Sequence, residues 1–91
     1  MRRVAVLLKI FPEDPDTSLE ELKTRISKAL PQDYEVLQYG EEPIAFGLKA
    51  LLLSIAIPEE TVGGTSNLEA LISTVKGVSQ VEVVRVSRLV E

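Results

Sequence analysis

Clustered carboxylates are the residues of this 91-residue chain whose type and spacing could bind a cation or transfer a proton. They gather in three segments, Glu13–Asp16, Glu41–Glu42 and Glu59–Glu60. Paired carboxylates bind hard cations or act as general acid and base. None of the three segments has the spacing of a cation-binding loop, or the glycine that such a loop needs at its turn. We therefore predict that these side chains are solvated loop charges, the usual state of acidic residues.

The composition excludes several kinds of site. Histidine and cysteine are both absent. This removes the commonest general base, the nucleophile–histidine pair and thiolate metal ligands. Ten Lys and Arg against fourteen Asp and Glu give a net charge of −4. Because nucleic-acid binding depends on clustered cations, this charge argues against direct contact with nucleic acid.

A glycine pair, Gly63–Gly64, precedes a predicted helix and raises the question of a phosphate-binding loop. The N-terminus of a helix attracts anions. However, no lysine follows the glycines, and the Walker pattern is missing. The pair is therefore interpreted as a turn.

Phe46 is the aromatic residue whose setting favours a binding role. A phenylalanine near a strand is more often part of the core than of a contact surface. This one lies between Pro43 and Gly47, however, in a predicted turn, and turns lie at the surface. An exposed aromatic ring there would anchor the chain in a pocket of a partner.

Two arginines near the C-terminus, Arg85 and Arg88, form the other candidate. In a regular strand they point to opposite faces. The simpler interpretation is that they keep an edge strand soluble.

The hydrophobic pattern predicts four strands and two helices. The strands are predicted at 3–11, 34–39, 48–57 and 78–89, with a turn at 40–43. The first helix is capped by Thr17 or Ser18 and stopped by Pro31, and the second is capped by Thr65 or Ser66 and closed by Gly77. The apolar phase slips between Val83 and Val84, which predicts either a β-bulge or burial on both faces.

The predicted order is β-α-β-β-α-β, typical of an α+β, ferredoxin-like fold with two helices on one face of a four-stranded antiparallel sheet. An RNA-recognition module shares this order but needs aromatic residues on its central strands, where only Phe11 is present. We expect one domain over residues 1–91. No export signal or membrane-length apolar run is found, so we expect a cytosolic protein without membrane contact.

The segment Pro43–Leu51, PIAFGLKAL, leads into an apolar strand and the acidic loop Pro58–Glu60. This run closely resembles the guanine-nucleotide-exchange domain family of elongation factor 1-beta. Length, element order and the ending Val78–Val83 agree over nearly the whole chain, and the free-standing form resembles the archaeal members. The resemblance implies that GDP is released from elongation factor 1-alpha, a GTPase, so that GTP replaces it. It implies no covalent chemistry and no cofactor.

The resemblance also implies three partner-binding residues. Phe46 matches the family phenylalanine that inserts into the GTPase domain near its nucleotide site. Lys49 matches a family lysine expected to contact the partner. Arg88 falls where the family has a lysine that intrudes on the Mg²⁺ and phosphate region. This is a departure, because a planar guanidinium and a compact ammonium are not interchangeable.

Two other functions remain open on the residues alone. One is a regulatory domain of the same fold that binds an amino acid as a dimer, with Gly63–Gly64 as its ligand loop. The other is acyl phosphate hydrolysis, which would need an arginine in the loop after the first strand. That loop, Pro12–Asp16, is acidic instead.

Overall fold

A computed structural model describes residues 2–59 and 65–89, which form one sheet with two helices. The strands are β1 (Arg3–Pro12), β2 (Glu35–Pro43), β3 (Lys49–Pro58) and β4 (Val78–Arg88), and the helices are α1 (Leu19–Ala29) and α2 (Thr65–Ser73). The strand order is β2-β3-β1-β4, and every pairing is antiparallel. The predicted ferredoxin-like α+β fold is confirmed.

The core lies between the helices and one face of the sheet, because alternate residues of the central strands point to that side. The fully buried large side chains come from both central strands and both helices: Val6, Leu8, Ile10, Leu51, Leu53, Ile55, Ile57, Leu22, Ile26, Leu68 and Ile72. The opposite face carries no helix within the described residues and leaves Leu7 and Leu52 partly exposed. We call it the open face.

The predicted irregularity in the last strand is a β-bulge. Leu7 pairs with Arg85 and the next residue, Leu8, pairs with Val83, so that Val84 has no opposing residue in β1. A bulge inserts one residue and shifts the alternation of side chains. This explains why two adjacent valines interrupt the period-two pattern, and the bulge prediction is confirmed.

The second strand is longer than predicted. Residues 40–43 were predicted as a turn, but Gly40, Glu41 and Glu42 pair with Leu52, Leu51 and Ala50 of β3. β2 is an edge strand, where glycine and a terminal proline are tolerated. The turn prediction was wrong because pairing with the apolar β3 overrides the weak strand preference of these residues.

The predicted cap of α1 is confirmed, whereas the predicted cap of α2 is not. Ser18 caps α1, since its hydroxyl oxygen accepts a hydrogen bond from the Glu21 N–H at 3.2 Å. α2 already includes Thr65 and Ser66, so the predicted cap there was wrong, and the loop with Gly63–Gly64 lies outside the described residues. Within the described ranges, neither helix is long and apolar enough to cross a membrane.

Gly77 lies in a turn beyond α2 rather than at its end, which is Ser73. Its φ of +99° is left-handed, and the Val78 N–H donates to the Val75 carbonyl at 3.2 Å to close the turn. The Glu13 N–H donates to the Gly77 carbonyl at 2.9 Å, and the Gly77 N–H donates to the Glu13 carboxylate at 3.2 Å. Glu13 is exposed in a loop, as predicted, and its hydrogen bonds to Gly77 also join two loops.

We expect Gly77→Ala to destabilise the protein by about 1–3 kcal/mol, because a left-handed backbone is unfavourable for alanine. The new methyl group would also lie 3.1 Å from Arg25 Nη1 and 3.3 Å from Leu22 Cδ1. Gly40→Ala is the matched control, since nothing lies within 4 Å of its Cβ position. The control should change the free energy of unfolding in urea by less than about 0.5 kcal/mol. Equal losses for the two variants would contradict this account of Gly77.

Candidate functional site

A five-residue loop, 44–48, joins β2 to β3 and carries Phe46. The Ile44 N–H donates to the Leu48 carbonyl at 2.8 Å, and the Leu48 N–H donates to the Ala45 carbonyl at 3.2 Å. Residues 45–48 therefore form one tight turn, and its two central residues, Phe46 and Gly47, both have positive φ. The loop is thus short, internally hydrogen-bonded and anchored on two paired strands.

The backbone of Phe46 is left-handed, with φ 62° and ψ 33°. This region is uncommon for a residue other than glycine and costs on the order of 1–3 kcal/mol. Gly47 follows at φ 75°, where glycine is favoured. The phenylalanine ring is 99% exposed. The fold therefore holds a large apolar group in water on a strained turn, an arrangement that favours insertion into a partner.

Lys49 lies at the base of this loop, where it pairs with Pro43 across the two strands. Its Nζ lies 3.6 Å from Glu41 Oε1, and both side chains are more than half exposed. An exposed ion pair of this length is weak. The lysine is therefore free to exchange its partner for another carboxylate.

Arg88 lies at the last position of β4, opposite Val4. Its Nη2 is 3.2 Å from Glu59 Oε1, and its side chain is 72% exposed. The other oxygen of Glu59 is buried and receives no hydrogen bond from the described part of the chain. Arg85 pairs with Leu7, on the open face, so the two arginines point to opposite faces as predicted.

The structure brings Phe46 and Lys49 together but places Arg88 far from them. Lys49 begins β3, whereas Arg88 lies at the level of Ile57, since both Arg88 and Ile57 pair with Val4. At about 3.3 Å per strand residue, the distance along β3 from Lys49 to Ile57 is roughly 26 Å. The candidate partner contacts thus lie at opposite ends of the sheet.

The other acidic segments also take part in the surface structure. Glu42 pairs with Lys9 at 3.0 Å, and Asp14 accepts hydrogen bonds from the Asp16 N–H and the Thr17 hydroxyl. Glu60 lies outside the described residues. Over residues 2–59 and 65–89, no three acidic side chains converge to hold a metal ion. The carboxylates act here as local structural groups.

A concave surface beside the Phe46 loop was missed from the sequence. Two adjoining hollows of about 300 and 180 Å³ share Leu19 and Glu41 in their lining. The larger lies between the loop that joins β1 to α1 and the start of β3, and the smaller lies between α1 and β2. The sequence prediction placed Glu41 in a turn, which hid its position on the same strand and side as Tyr39. The spacing of these two residues was the available signal, since residues i and i+2 share one face of a strand.

Nearly the whole chain is similar to known proteins. The sequence profile of the EF-1 guanine nucleotide exchange domain matches residues 5–89. Elongation factor 1-beta of Staphylothermus marinus is 60% identical over 89 residues, which cover 98% of this chain and 99% of that protein. Elongation factor 1-beta of Desulfurococcus amylolyticus is 58% identical over 89 residues, with the same coverage of each chain.

Phe46→Ala should leave the free energy of unfolding within about 0.5 kcal/mol of the wild-type value, because an exposed ring loses no packing on truncation. Leu53→Ala is the contrasting variant, since Leu53 is fully buried in the core. Leu53→Ala should lower the free energy of unfolding by about 2–5 kcal/mol. Urea unfolding followed by circular dichroism measures both. A comparable loss for Phe46→Ala would show that the ring packs in the folded protein.

Proposed function

This chain belongs to the EF-1 guanine nucleotide exchange domain family, and we propose that it releases GDP from elongation factor 1-alpha so that GTP can bind. The family shows a nucleotide-exchange role in translation elongation. The relatives carry the name elongation factor 1-beta and match nearly the full chain, which supports the GTPase of that system as the partner.

Exchange needs only a difference in binding free energy. A factor that binds the nucleotide-free GTPase more tightly than the GDP-bound form must weaken GDP binding by the same ratio. No covalent bond is made or broken in this process. We therefore propose that the chain, as one cytosolic domain, contributes binding residues and no catalytic group.

The observation that carries the proposal is the fully exposed ring of Phe46 on a strained, anchored loop. Burial of an aromatic side chain removes about 150–250 Å² from contact with water. Because the loop is already fixed, little conformational entropy is lost when the ring is buried. We assign Phe46 as the anchor of the complex, with Lys49 as a neighbouring contact to a carboxylate of the GTPase.

We assign Arg88 the role of disturbing the Mg²⁺ region through its positive charge. Its guanidinium is largely exposed and competes with Mg²⁺ for the phosphate region once its ion pair with the largely buried Glu59 opens. A guanine nucleotide is much shorter than the separation between the Arg88 and Phe46 ends of the sheet. If Arg88 reaches the Mg²⁺ site, Phe46 contacts the GTPase at a second place, which departs from the insertion near the nucleotide site that the resemblance implies.

The amino-acid-binding alternative is not favoured by the family match. Its ligand loop, Gly63–Gly64, lies outside the described residues. The exchange proposal is tested by release of a fluorescent GDP from elongation factor 1-alpha at fixed Mg²⁺ and excess GTP. Acceleration by a sub-stoichiometric amount of this protein is expected. If a competent GTPase shows no acceleration, the proposal is wrong.

Phe46→Ala should lower the rate of catalysed GDP release by roughly tenfold to a hundredfold, the range of an interface hot spot. The same assay measures this rate over a range of factor concentrations. The loss should be smaller at saturating factor, because an anchor acts mainly through affinity. Retention of the full rate by a folded Phe46→Ala protein would exclude the anchoring role.

Arg88→Ala should lower the maximal exchange rate more than it weakens binding to the nucleotide-free GTPase, because it removes a charge that acts on the Mg²⁺ region. Arg88→Lys, which keeps the charge, should retain more of the rate. Titration of the factor separates the maximal rate from the affinity. Equal losses in both quantities for Arg88→Ala would indicate a docking role only.

The double variant Phe46→Ala/Arg88→Ala should show additive effects on the free energy of activation for GDP release. Residues separated by much more than about 10 Å with no shared partner are additive to within about 0.5 kcal/mol. A double-mutant cycle in the GDP-release assay measures the coupling. A coupling well above that value would argue that both residues act on one element of the GTPase.

A further inference from the structure

The outer side of β4 is an unpaired edge with exposed apolar side chains. β4 is an edge strand, and no other strand of the described residues pairs with its outer side. An unpaired edge presents backbone N–H and C=O groups to which another strand can bind. Val84 and Val86 of this strand each have 50% of their surface exposed. β4 therefore offers both a free backbone edge and apolar surface to a second strand.

The bulge determines which side chains of β4 share a face of the sheet. Residues directly opposite each other on neighbouring strands lie on the same face. Glu82 pairs with Lys9 and Arg85 pairs with Leu7, so both Glu82 and Arg85 lie on the open face. In a regular strand, residues three positions apart lie on opposite faces. The inserted residue of the bulge thus brings these two opposite charges to one face.

The residues on the two sides of the bulge match each other in chemistry. Counted outward from its centre, the matched pairs are Val83 with Val84, Glu82 with Arg85, Val81 with Val86, and Gln80 with Ser87. Beyond the two central valines, the members of each pair share a face, because their opposing residues in β1 are Lys9 and Leu7, Ile10 and Val6, and Phe11 and Ala5. The segment Gln80–Ser87 is therefore complementary to a second copy of itself that runs in the opposite direction.

The two charges of this segment are available for an intermolecular contact. Both Glu82 and Arg85 are exposed, and neither takes part in an ion pair with another described residue. Lys9, which lies opposite Glu82, has its Nζ 3.0 Å from Glu42 instead. The opposite charges at matched positions therefore remain free to meet across a two-fold axis.

The other edge strand, β2, lacks this property. It contains Glu35, Glu41 and Glu42 and no lysine or arginine. Two antiparallel copies of β2 would bring carboxylates together without a cation on either strand, and like charges on paired strands are destabilising. Of the two edges of the sheet, only β4 is complementary to itself in charge.

We propose that two copies of this chain pair antiparallel through Gln80–Ser87, about a two-fold axis at the bulge. Glu82 of each copy lies opposite Arg85 of the other, and Val86 of each copy lies beside Val81 of the other. A two-fold interface is self-complementary, so every contact occurs twice. A bulge hinders pairing with a regular strand. At this axis, however, the bulge of one copy faces the bulge of the other, so that the two distortions coincide.

This dimer is compatible with the proposed function but does not depend on it. The Phe46 loop adjoins β2, at the edge of the sheet opposite β4. Pairing through β4 therefore leaves the Phe46 ring of each copy exposed.

The test is a charge exchange between the two matched positions, with the Kd of the dimer measured by sedimentation equilibrium of the full chain over a range of concentrations. Glu82→Arg and Arg85→Glu each place like charges opposite each other twice, and each should raise the Kd about tenfold. The double variant Glu82→Arg/Arg85→Glu restores two opposite-charge contacts and the net charge. Its Kd should return to within about threefold of the wild-type value.

Two exposed residues away from β4 supply matched controls. Asp33→Lys changes the net charge by the same amount as Glu82→Arg, and Lys28→Glu by the same amount as Arg85→Glu. Each control should leave the Kd within about twofold, because a distant surface charge is screened by salt. Thermal unfolding establishes that each variant is folded. If Glu82→Arg does not fold, Arg85→Glu against Lys28→Glu decides the test.

Three results would overturn the proposal. A wild-type chain that stays monomeric at the highest concentration excludes the dimer. A dimer that the β4 variants weaken no more than the controls is formed through another surface. A double variant with a Kd as high as those of the single variants would show that Glu82 and Arg85 do not face each other.

Discussion

The antiparallel pairing of β1 with β3 is the constraint on which the rest of the molecule depends. It runs from Arg3 opposite Pro58 to Ile10 opposite Leu51, and both strands contribute alternate fully buried side chains to the core. Since β2 pairs with β3 and β4 pairs with β1, each edge strand takes its position from this central pair. The β2–β3 loop and the end of β4 must then lie at opposite ends of the sheet. The separation of the two candidate contacts follows from topology rather than from any local interaction.

The stabilising core and the loop that we propose for recognition lie in different parts of the fold. The core holds apolar side chains on one face of the sheet, with no buried charged or polar side chain among the described residues. The Phe46 loop contributes nothing to that core and carries an unfavourable backbone conformation. A strained backbone conformation persists only where the surrounding structure holds it in place. Here it is held by the hydrogen bonds within the loop and by the pairing of β2 with β3. A stable sheet thus allows a strained, water-exposed loop at its end.

Features that depend on neighbouring residues were predicted from the sequence. Features that depend on pairing between strands or on contacts between separate segments were missed. Periodicity located every strand and helix, the adjacent Val83 and Val84 located the bulge, and the flanking Pro43 and Gly47 indicated a surface position for Phe46. The extension of β2 depends on pairing with β3, six to twelve residues away along the chain, and local preference at Gly40 opposed it. The concave surface beside the Phe46 loop combines residues from three segments, so no single stretch of sequence contains it.

Placement of contacts at both ends of a rigid sheet suits nucleotide exchange for a physical reason. A factor that only competes for the Mg²⁺ region must gain all its affinity at a highly charged site, where desolvation opposes binding. An apolar anchor at a distance supplies affinity through burial of the Phe46 ring, which depends little on charge. The charged end is then free to favour the nucleotide-free state over the GDP-bound state. Because that difference alone weakens GDP binding, affinity and discrimination are best carried by different residues, the roles that we propose for Phe46 and Arg88.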